Sequence, residues 1–192
     1  ELSEYKALLK SQRDLPQALK EVLQKIPASA HPMDVMRTGT SMLGNLEPEG
    51  DFSNQLNSIN RMIATMASIV TYWYKYSHDG EDISLVNDED SMAGHFLHIL
   101  HGKTPSDLHR KVMDVSLVLY AEHEFNASTF TGRVCASTMS DIHSCVVAAI
   151  GSLRGPLHGG ANEKAMELIE NWTSREEAKE NILAMLANKE KI

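Results

Sequence analysis

The stretch QLNSINRMIATMASIVTYWYKY, residues 55–76, contains neither proline nor glycine. Within it Leu56, Ile59, Ile63, Met66, Val70 and Trp73 recur at three- to four-residue steps. That spacing collects apolar side chains on one face of an α-helix. The same period returns in LPQALKEVLQKIP, where Leu15, Leu19, Val22, Leu23 and Ile26 share a face and Pro27 ends the pattern. TPSDLHRKVMDVSLVLYAEH offers Thr104 as N-cap and Pro105 at the first helical position, where a missing N–H costs nothing. TSREEAKENILAML sets Thr173 and Glu176 at capping-box spacing. No alternating apolar–polar run is long enough to require a strand. The expected class is all-α, with eight or nine helices.

Length and charge narrow the function. A chain of 192 residues can bury one substantial core. No linker rich in Pro, Gly or Ser divides it, so residues 1–192 are expected to form a single helical domain. Acidic side chains outnumber basic ones 26 to 18, a net charge of −8. A general nucleic-acid binder needs a basic surface, so that class is disfavoured. Apolar runs fall short of the ~20 residues that span a bilayer, and the opening ELSEYKALLK has no signal-peptide character. Cys135 and Cys145, the only cysteines, both lie in apolar helical sequence. Buried free thiols in a reducing, cytoplasmic setting fit them better than a disulfide.

Two segments stand out by composition. GEDISLVNDEDS, residues 80–91, reads as a solvated acidic loop whose Asp and Ser residues can cap the helix after it. Residues 127–153, ASTFTGRVCASTMSDIHSCVVAAIGSL, are rich in Ala, Ser, Thr and Gly. Small side chains let helices approach closely, and weak helix formers need tertiary support. The segment is therefore expected to be a central buried helix pair, part of a subunit interface, or both.

Nine histidines remain to be weighed. His95, His98 and His101 in HFLHILH lie on a helix among Phe, Leu and Ile, without an HExxH pattern. Core and rim positions explain them better than a metal site. His31 in HPMDV precedes a proline at a helix entry and reads as structural. His123 and His158 differ. In LYAEHEFNAST an apolar helix runs out at Ala121–Glu124 and a new segment starts near Asn126, leaving His123 at the junction. In GPLHGGANE, His158 sits among glycines at the start of a helical pattern. Helix N-termini favour negative charge and disfavour imidazolium. A neutral histidine there can donate a hydrogen bond to a developing enolate oxygen. Glycines beside it leave room for a ligand close to the backbone.

GPLHGGANE and AEHEFNASTFTGRV together resemble the citrate synthase family. LYAEHEFNASTF, HPMDVMRTG, TYWYKYSHDGE and GHFLHILHGKTP are most similar to its bacterial 2-methylcitrate synthase branch, and the likeness runs from Glu1 to Ile192. The resemblance implies an all-α homodimeric enzyme of two domains that condenses an acyl-CoA, propionyl-CoA or acetyl-CoA, with oxaloacetate. It assigns His158 to the thioester carbonyl as a catalytic residue. It assigns His123, with Asn126 beside it, to oxaloacetate. No metal and no cofactor beyond the coenzyme A thioester substrate is expected.

The resemblance also implies that a second catalytic histidine, a catalytic aspartate and several carboxylate-binding arginines lie beyond the segment matched here. The chain then corresponds to most of the large helical domain, ending near the start of the small one, and would be inactive alone. Arg133 and Arg154 are the nearest cations in sequence to the two histidines. A noncatalytic helical scaffold is the reading from another class. The glycines around His158 argue against it, because a scaffold has no use for them.

Overall fold

The structure is a computed structural model and describes residues 1–122 and 124–190. Among these residues it is all-helical, with ten α-helices and no strand. It divides into two compact units, Glu1–Gly151 and Ser152–Ile192. The sequence carries no linker signal there: the boundary falls inside the last turn of a helix.

The first unit contains α1 (Leu2–Ser11), α2 (Gln17–Gln24), α3 (Pro32–Leu46), α4 (Gln55–Tyr74), α5 (Met92–His101), α6 (Asp107–Tyr120), α7 (Ala127–Ala136) and most of α8 (Ile142–Leu153). α4 is its centre and packs against α1, α2, α3 and α5. The core gathers Leu15, Leu19 and Leu23 from around α2, Val35 and Leu43 from α3, Met62, Ile69, Tyr72 and Trp73 from α4, and Ile99 from α5. α3 and α4 cross closely at Gly39, where a Cβ would overlap Ile69.

The face that α4 buries differs from the one its apolar residues outline. Ser58, Asn60, Thr65, Ser68 and Thr71 are buried beside Met62, Ala64, Ile69, Tyr72 and Trp73. Leu56 and Ile63 are exposed. Small and hydroxyl side chains let the neighbouring helices approach, and Thr65 and Ser68 find partners nearby, whereas Thr71 Oγ1 has none among the described residues. Thr65 Oγ1 donates to the Arg61 carbonyl at 2.9 Å. Ser68 Oγ donates to the Arg13 carbonyl at 2.7 Å and meets His95 Nε2 at 3.1 Å.

The acidic segment is solvated along most of its length, as expected, but is anchored by buried Leu85 and Glu89. Leu85 is 1% exposed. Asp82 accepts from the Tyr72 hydroxyl at 2.9 Å, and Asn87 Nδ2 meets His95 Nδ1 at 3.0 Å. Buried Arg13 donates to the carbonyls of Glu89, Asp90 and Ser91. Buried Glu89 takes two hydrogen bonds from Arg110, at 3.0 and 3.2 Å. The loop is an anchored strap, and its charge pattern concealed the anchor because the Glu89 carboxylate and the carbonyls of residues 89–91 are matched by arginines distant in sequence. Ser91 does cap α5, accepting from Gly94 N–H at 2.9 Å.

Several helix ends shift by a residue or more from the sequence reading. α6 starts at Asp107, with Ser106 rather than Thr104 as N-cap, its Oγ accepting from His109 N–H at 3.2 Å. Pro105 therefore lies outside the helix. The second unit holds α9 (Gly160–Glu170) and α10 (Arg175–Ala187). α10 is capped by Ser174, which accepts from Glu177 N–H at 3.2 Å. Glu177, not Glu176, reaches back to Thr173, taking its N–H at 3.0 Å and its hydroxyl at 2.9 Å. His31 caps α3 as expected, Nδ1 accepting from Met33 N–H at 3.1 Å.

The small-residue segment is a pair of helices, as expected. α7 and α8 are separated at residues 137–141, where Met139 takes φ +63°. Asp141 starts the second helix, its Oδ1 accepting from Ser144 N–H at 3.0 Å. The two helices touch at Gly132, where a Cβ would stand 3.6 Å from Ala149 Cβ and from the Cys145 carbonyl oxygen. α8 buries His143, Cys145 and Ile150, whereas α7 buries none of its residues. Both cysteines are free thiols. Burial first, and Cys135 second, push the Cys145 thiol up to about 11, which leaves it unreactive at neutral pH. α6 exposes Val112, Val115, Val118 and Leu119.

His95 is fully buried, which confirms the core reading of the HFLHILH triplet's first histidine. Burial, helped by the positive charge of Arg13 and by His98, pushes it down to about 4. An unfolded histidine titrates near ~6.5. The neutral ring's contribution is therefore complete above pH ~6.5 and is lost as pH falls from there through about 4, with an upper bound on the order of 3 kcal/mol. Urea unfolding at pH 7.5 and pH 5 checks this. His95→Gln should be less stable than wild type at pH 7.5 and should lose less stability on going to pH 5. Parallel losses in the two proteins would contradict it.

Candidate active site

His158 lies in a tight turn between α8 and α9, within the second unit. The turn is built from main-chain bonds: Gly155 N–H donates to the Ser152 carbonyl at 3.1 Å, and His158 N–H to the Gly155 carbonyl at 3.0 Å. Gly159 N–H donates to the Leu153 carbonyl at 2.9 Å. A Cβ at Gly159 would overlap that same carbonyl oxygen, and one at Gly160 would stand 3.3 Å from the Gly155 oxygen. None of Gly155, Gly159 and Gly160 has positive φ. Glycine is required here for space, and at Gly159 the chain itself occupies the space that the sequence suggested for a ligand.

α9 begins at Gly160, so His158 lies two residues before a helix N-terminus. The first N–H groups of α9 are not left to a ligand. Gly160, Ala161 and Asn162 donate to the carbonyls of Gly155, His158 and Gly159 at 3.3, 3.1 and 3.3 Å. What the helix still supplies is its dipole, positive at this end. His158 is half-buried, whereas Leu157 beside it is 89% exposed. The turn anchors the histidine's backbone firmly while one flank stays open.

His123 lies outside the described residues. Its neighbours belong to the first unit. Glu124 takes φ +56°, a left-handed conformation that glycine favours and glutamate adopts only under constraint. Glu124 N–H donates to the Glu122 carboxylate. Asn126 is the N-cap of α7: its Oδ1 accepts from Thr129 N–H and from Ser128 Oγ, both at 2.8 Å. Asn126 thus has a structural duty that the sequence reading did not give it, and its Nδ2 is the group it can offer to a substrate. Arg133 stands over the Phe125 ring, 5.5 Å from its centroid, and Arg154 is half-buried in the second unit. Beside Glu124 a left-handed backbone, a capping asparagine and an exposed aromatic, Phe125, coincide.

Residues 1–192 match the family described as Citrate synthase, C-terminal domain. The chain belongs to the citrate synthase family. It is 64% identical over its whole length to 2-methylcitrate synthase of Shewanella oneidensis, covering 51% of that protein. It is 39% identical to citrate synthase of Deinococcus radiodurans, covering 52%. Among solved structures, citrate synthase of Thermotoga maritima superposes with a TM-score of 0.81 at 30% identity, over 98% of this chain and 49% of that one. A citrate synthase from Thermoplasma acidophilum, in a ternary complex with carboxymethyl coenzyme A and oxaloacetate, shares the fold with a TM-score of 0.86 at 24% identity. The chain spans about half the length of these relatives.

Sequence reasoning passed over His143, which is 3% exposed and packs flat against Gly44. Its signal was the capping residue Asp141 two positions before it, which places position 143 in the first turn of a helix.

The turn makes a stability prediction. Gly159→Ala should destabilise the protein by about 1–3 kcal/mol, because the new methyl meets fixed backbone. Gly151→Ala, where a Cβ meets nothing within 4 Å, should be neutral or slightly stabilising. Urea denaturation of both variants measures the difference, and equal midpoints would refute it.

Proposed function

We propose that the full protein is a 2-methylcitrate synthase, which condenses propionyl-CoA with oxaloacetate and water to give 2-methylcitrate and CoA. The observation that carries this reading is the 64% identity to the Shewanella oneidensis 2-methylcitrate synthase, against 39% for the Deinococcus radiodurans citrate synthase. Propionate catabolism through this condensation, a cytoplasmic location and a homodimer belong to the same reading. No helix among the described residues is long and apolar enough to cross a membrane.

In this reading a base removes a proton from the α-carbon of the acyl group. Negative charge moves to the thioester oxygen, and an imidazole N–H of His158 donates to that oxygen. The hydrogen bond strengthens as charge develops, so it acts on the transition state more than on the bound substrate. The rigid turn and the positive end of α9 favour this: the first fixes the ring's attachment point, the second stabilises nearby negative charge. The enolate carbon attacks the ketone carbon of oxaloacetate, which His123 holds with Asn126 beside it. Water then cleaves the thioester and CoA leaves as its thiol. By the family resemblance, the base and the substrate-clamping arginines come from beyond this chain. No cofactor is required, since the CoA thioester is itself consumed.

Citrate synthase activity with acetyl-CoA is the second reading, supported by the Deinococcus radiodurans relative. The acyl groups differ by one methylene, which a pocket distinguishes by only ~1–3 kcal/mol. The full-length protein should therefore show a kcat/KM about 10- to 100-fold higher with propionyl-CoA than with acetyl-CoA. The reverse order would establish the second reading.

His158→Ala in the full-length protein should lower kcat by about 100-fold or more while changing KM little, because it removes a contact made chiefly in the transition state. A defect confined to KM would contradict its role. The 192-residue chain alone should release no CoA from propionyl-CoA and oxaloacetate. Members of a catalytic set give little without their partners, and turnover matching the full-length protein would place the missing groups inside this chain.

A further inference from the structure

α7 and α8 carry one cysteine each, Cys135 and Cys145, with nine residues between them in the chain. The helices meet at Gly132, where a Cβ would stand 3.6 Å from Ala149 Cβ and from the Cys145 carbonyl oxygen. With no side chain at Gly132, α7 comes directly against the backbone of Cys145. Cys135 lies three residues after Gly132, and Cys145 four residues before Ala149. Residues at those spacings share a helix face. The contact that begins at Gly132 and Ala149 is therefore continued, one turn nearer the connection at 137–141, by the two cysteines.

The backbone on both sides of the pair is fixed. The Cys135 carbonyl accepts from Thr138 N–H at 3.1 Å and from Thr138 Oγ1 at 2.7 Å. Cys145 N–H donates to the Asp141 carbonyl at 3.1 Å, and its Sγ lies 3.8 Å from the Ser140 carbonyl oxygen. Cys145 is buried and Cys135 half-buried. The electrostatics agree with this geometry. After burial, the Cys135 thiol is the next cause that holds the proton on Cys145, as a hydrogen-bond partner and through its charge. Both effects need the two sulfurs close together.

We infer that Cys135 and Cys145 are a redox pair, which a peroxide closes to a disulfide between α7 and α8. The thiolate is the reacting form of a cysteine, and Cys135, the more exposed of the two, meets the oxidant first. Its sulfur attacks one peroxide oxygen, the O–O bond breaks, and the second oxygen leaves as water with the Cys135 proton. The product is a sulfenic acid. The Cys145 sulfur then attacks the Cys135 sulfur. The S–S bond forms, the S–O bond breaks, and the oxygen leaves as a second water with the Cys145 proton. Two thiols are oxidised and one peroxide is reduced. Cys145 keeps its proton at neutral pH and is a poor nucleophile by itself; its place against the sulfenic sulfur makes up for this. A small thiol reopens the pair by exchange. In a reducing compartment such a pair stands as free thiols and closes transiently, and both cysteines are free here. The pair takes no part in the proposed condensation.

The test is peptide mapping of the full-length protein after brief treatment with hydrogen peroxide. No lysine or arginine lies between Val134 and Leu153, so trypsin releases both cysteines in one peptide, residues 134–154. That peptide should lose two hydrogens, resist iodoacetamide in denaturant, and regain both thiols with dithiothreitol. Cys145→Ser should stop the reaction at Cys135, whose sulfenic acid then adds dimedone. Cys135→Ser should leave Cys145 as a thiol that iodoacetamide alkylates fully after unfolding. If Cys145→Ser fails to fold, Cys135→Ser, at a half-buried position, decides by itself. Met139, 70% exposed in the same peptide, gauges the oxidant dose, because its sulfoxide adds one oxygen. Two alkylatable thiols in the wild type at a dose that oxidises Met139 would overturn the inference. So would Cys135 paired with any other thiol, or oxidation of Cys145 that persists in Cys135→Ser. None of these readouts uses condensation activity, so the two proposals fail separately.

Discussion

The first unit depends on what α4 buries. A helix whose inner face carried only Leu and Ile would hold its neighbours at ordinary packing distance and leave no hydrogen-bonding capacity at its centre. Ser58, Thr65, Ser68 and Thr71 do the opposite. They bring adjacent backbone close, and Thr65 and Ser68 take backbone carbonyls as partners in return. Ser68 is the pivot: its hydroxyl joins the Arg13 carbonyl to the ring of His95, whose other nitrogen meets Asn87. Arg13 in turn gathers the carbonyls of residues 89–91. One small hydroxyl thus connects the α1–α2 junction, α5 and the acidic strap, and removing any member would strand a buried polar group, a loss of about 1–3 kcal/mol each.

This network explains which parts of the fold could be read from sequence. Helix existence follows from a local period of 3.6 residues, so the all-α class and α2, α4 and α5 were legible. The buried face of α4 was not. Hydrophobicity points to Leu56 and Ile63, yet both are exposed, because burial here selects small side chains that can serve a tertiary hydrogen-bond network. One carboxylate of the acidic strap departs from the sequence reading for a related reason. Glu89 looks like solvated charge until Arg110 and Arg13, 21 and 76 residues away, close on its carboxylate and its carbonyl. Caps slipped where two hydroxyl residues stand near each other: Thr104 and Ser106, Thr173 and Ser174 both offer an acceptor, and only the final backbone direction chooses between them.

The candidate site divides in the same way. A histidine among glycines at a helix start is a local pattern, and its placement two residues before α9 follows from the sequence alone. The reason for the glycines does not. Their φ values are ordinary; what the turn needs is the absence of a Cβ beside the Leu153 carbonyl, a contact invisible without the fold. Asn126 shows the converse. It was singled out for a substrate and carries a helix cap as well, so its oxygen orients α7 while its amide N–H groups remain the part that chemistry can use. His143 escaped notice because burial, rather than motif, makes it unusual.

The construction around His158 bears on how such a residue can work. A side chain that must donate to a charge appearing only in the transition state gains little from a mobile attachment, because positioning would have to be re-established in every turnover. The turn avoids this by satisfying its own polar groups. Every N–H from His158 to Asn162 donates to a carbonyl within the turn or the first turn of α9. The backbone of the turn therefore has no unsatisfied N–H that would drive it to rearrange. Gly159 is what permits this closure, since a Cβ there would push Leu153 away and release the bond that ties the turn to the end of α8. The same missing methyl that lets the turn close also fixes the backbone of the neighbouring histidine two residues before the start of α9.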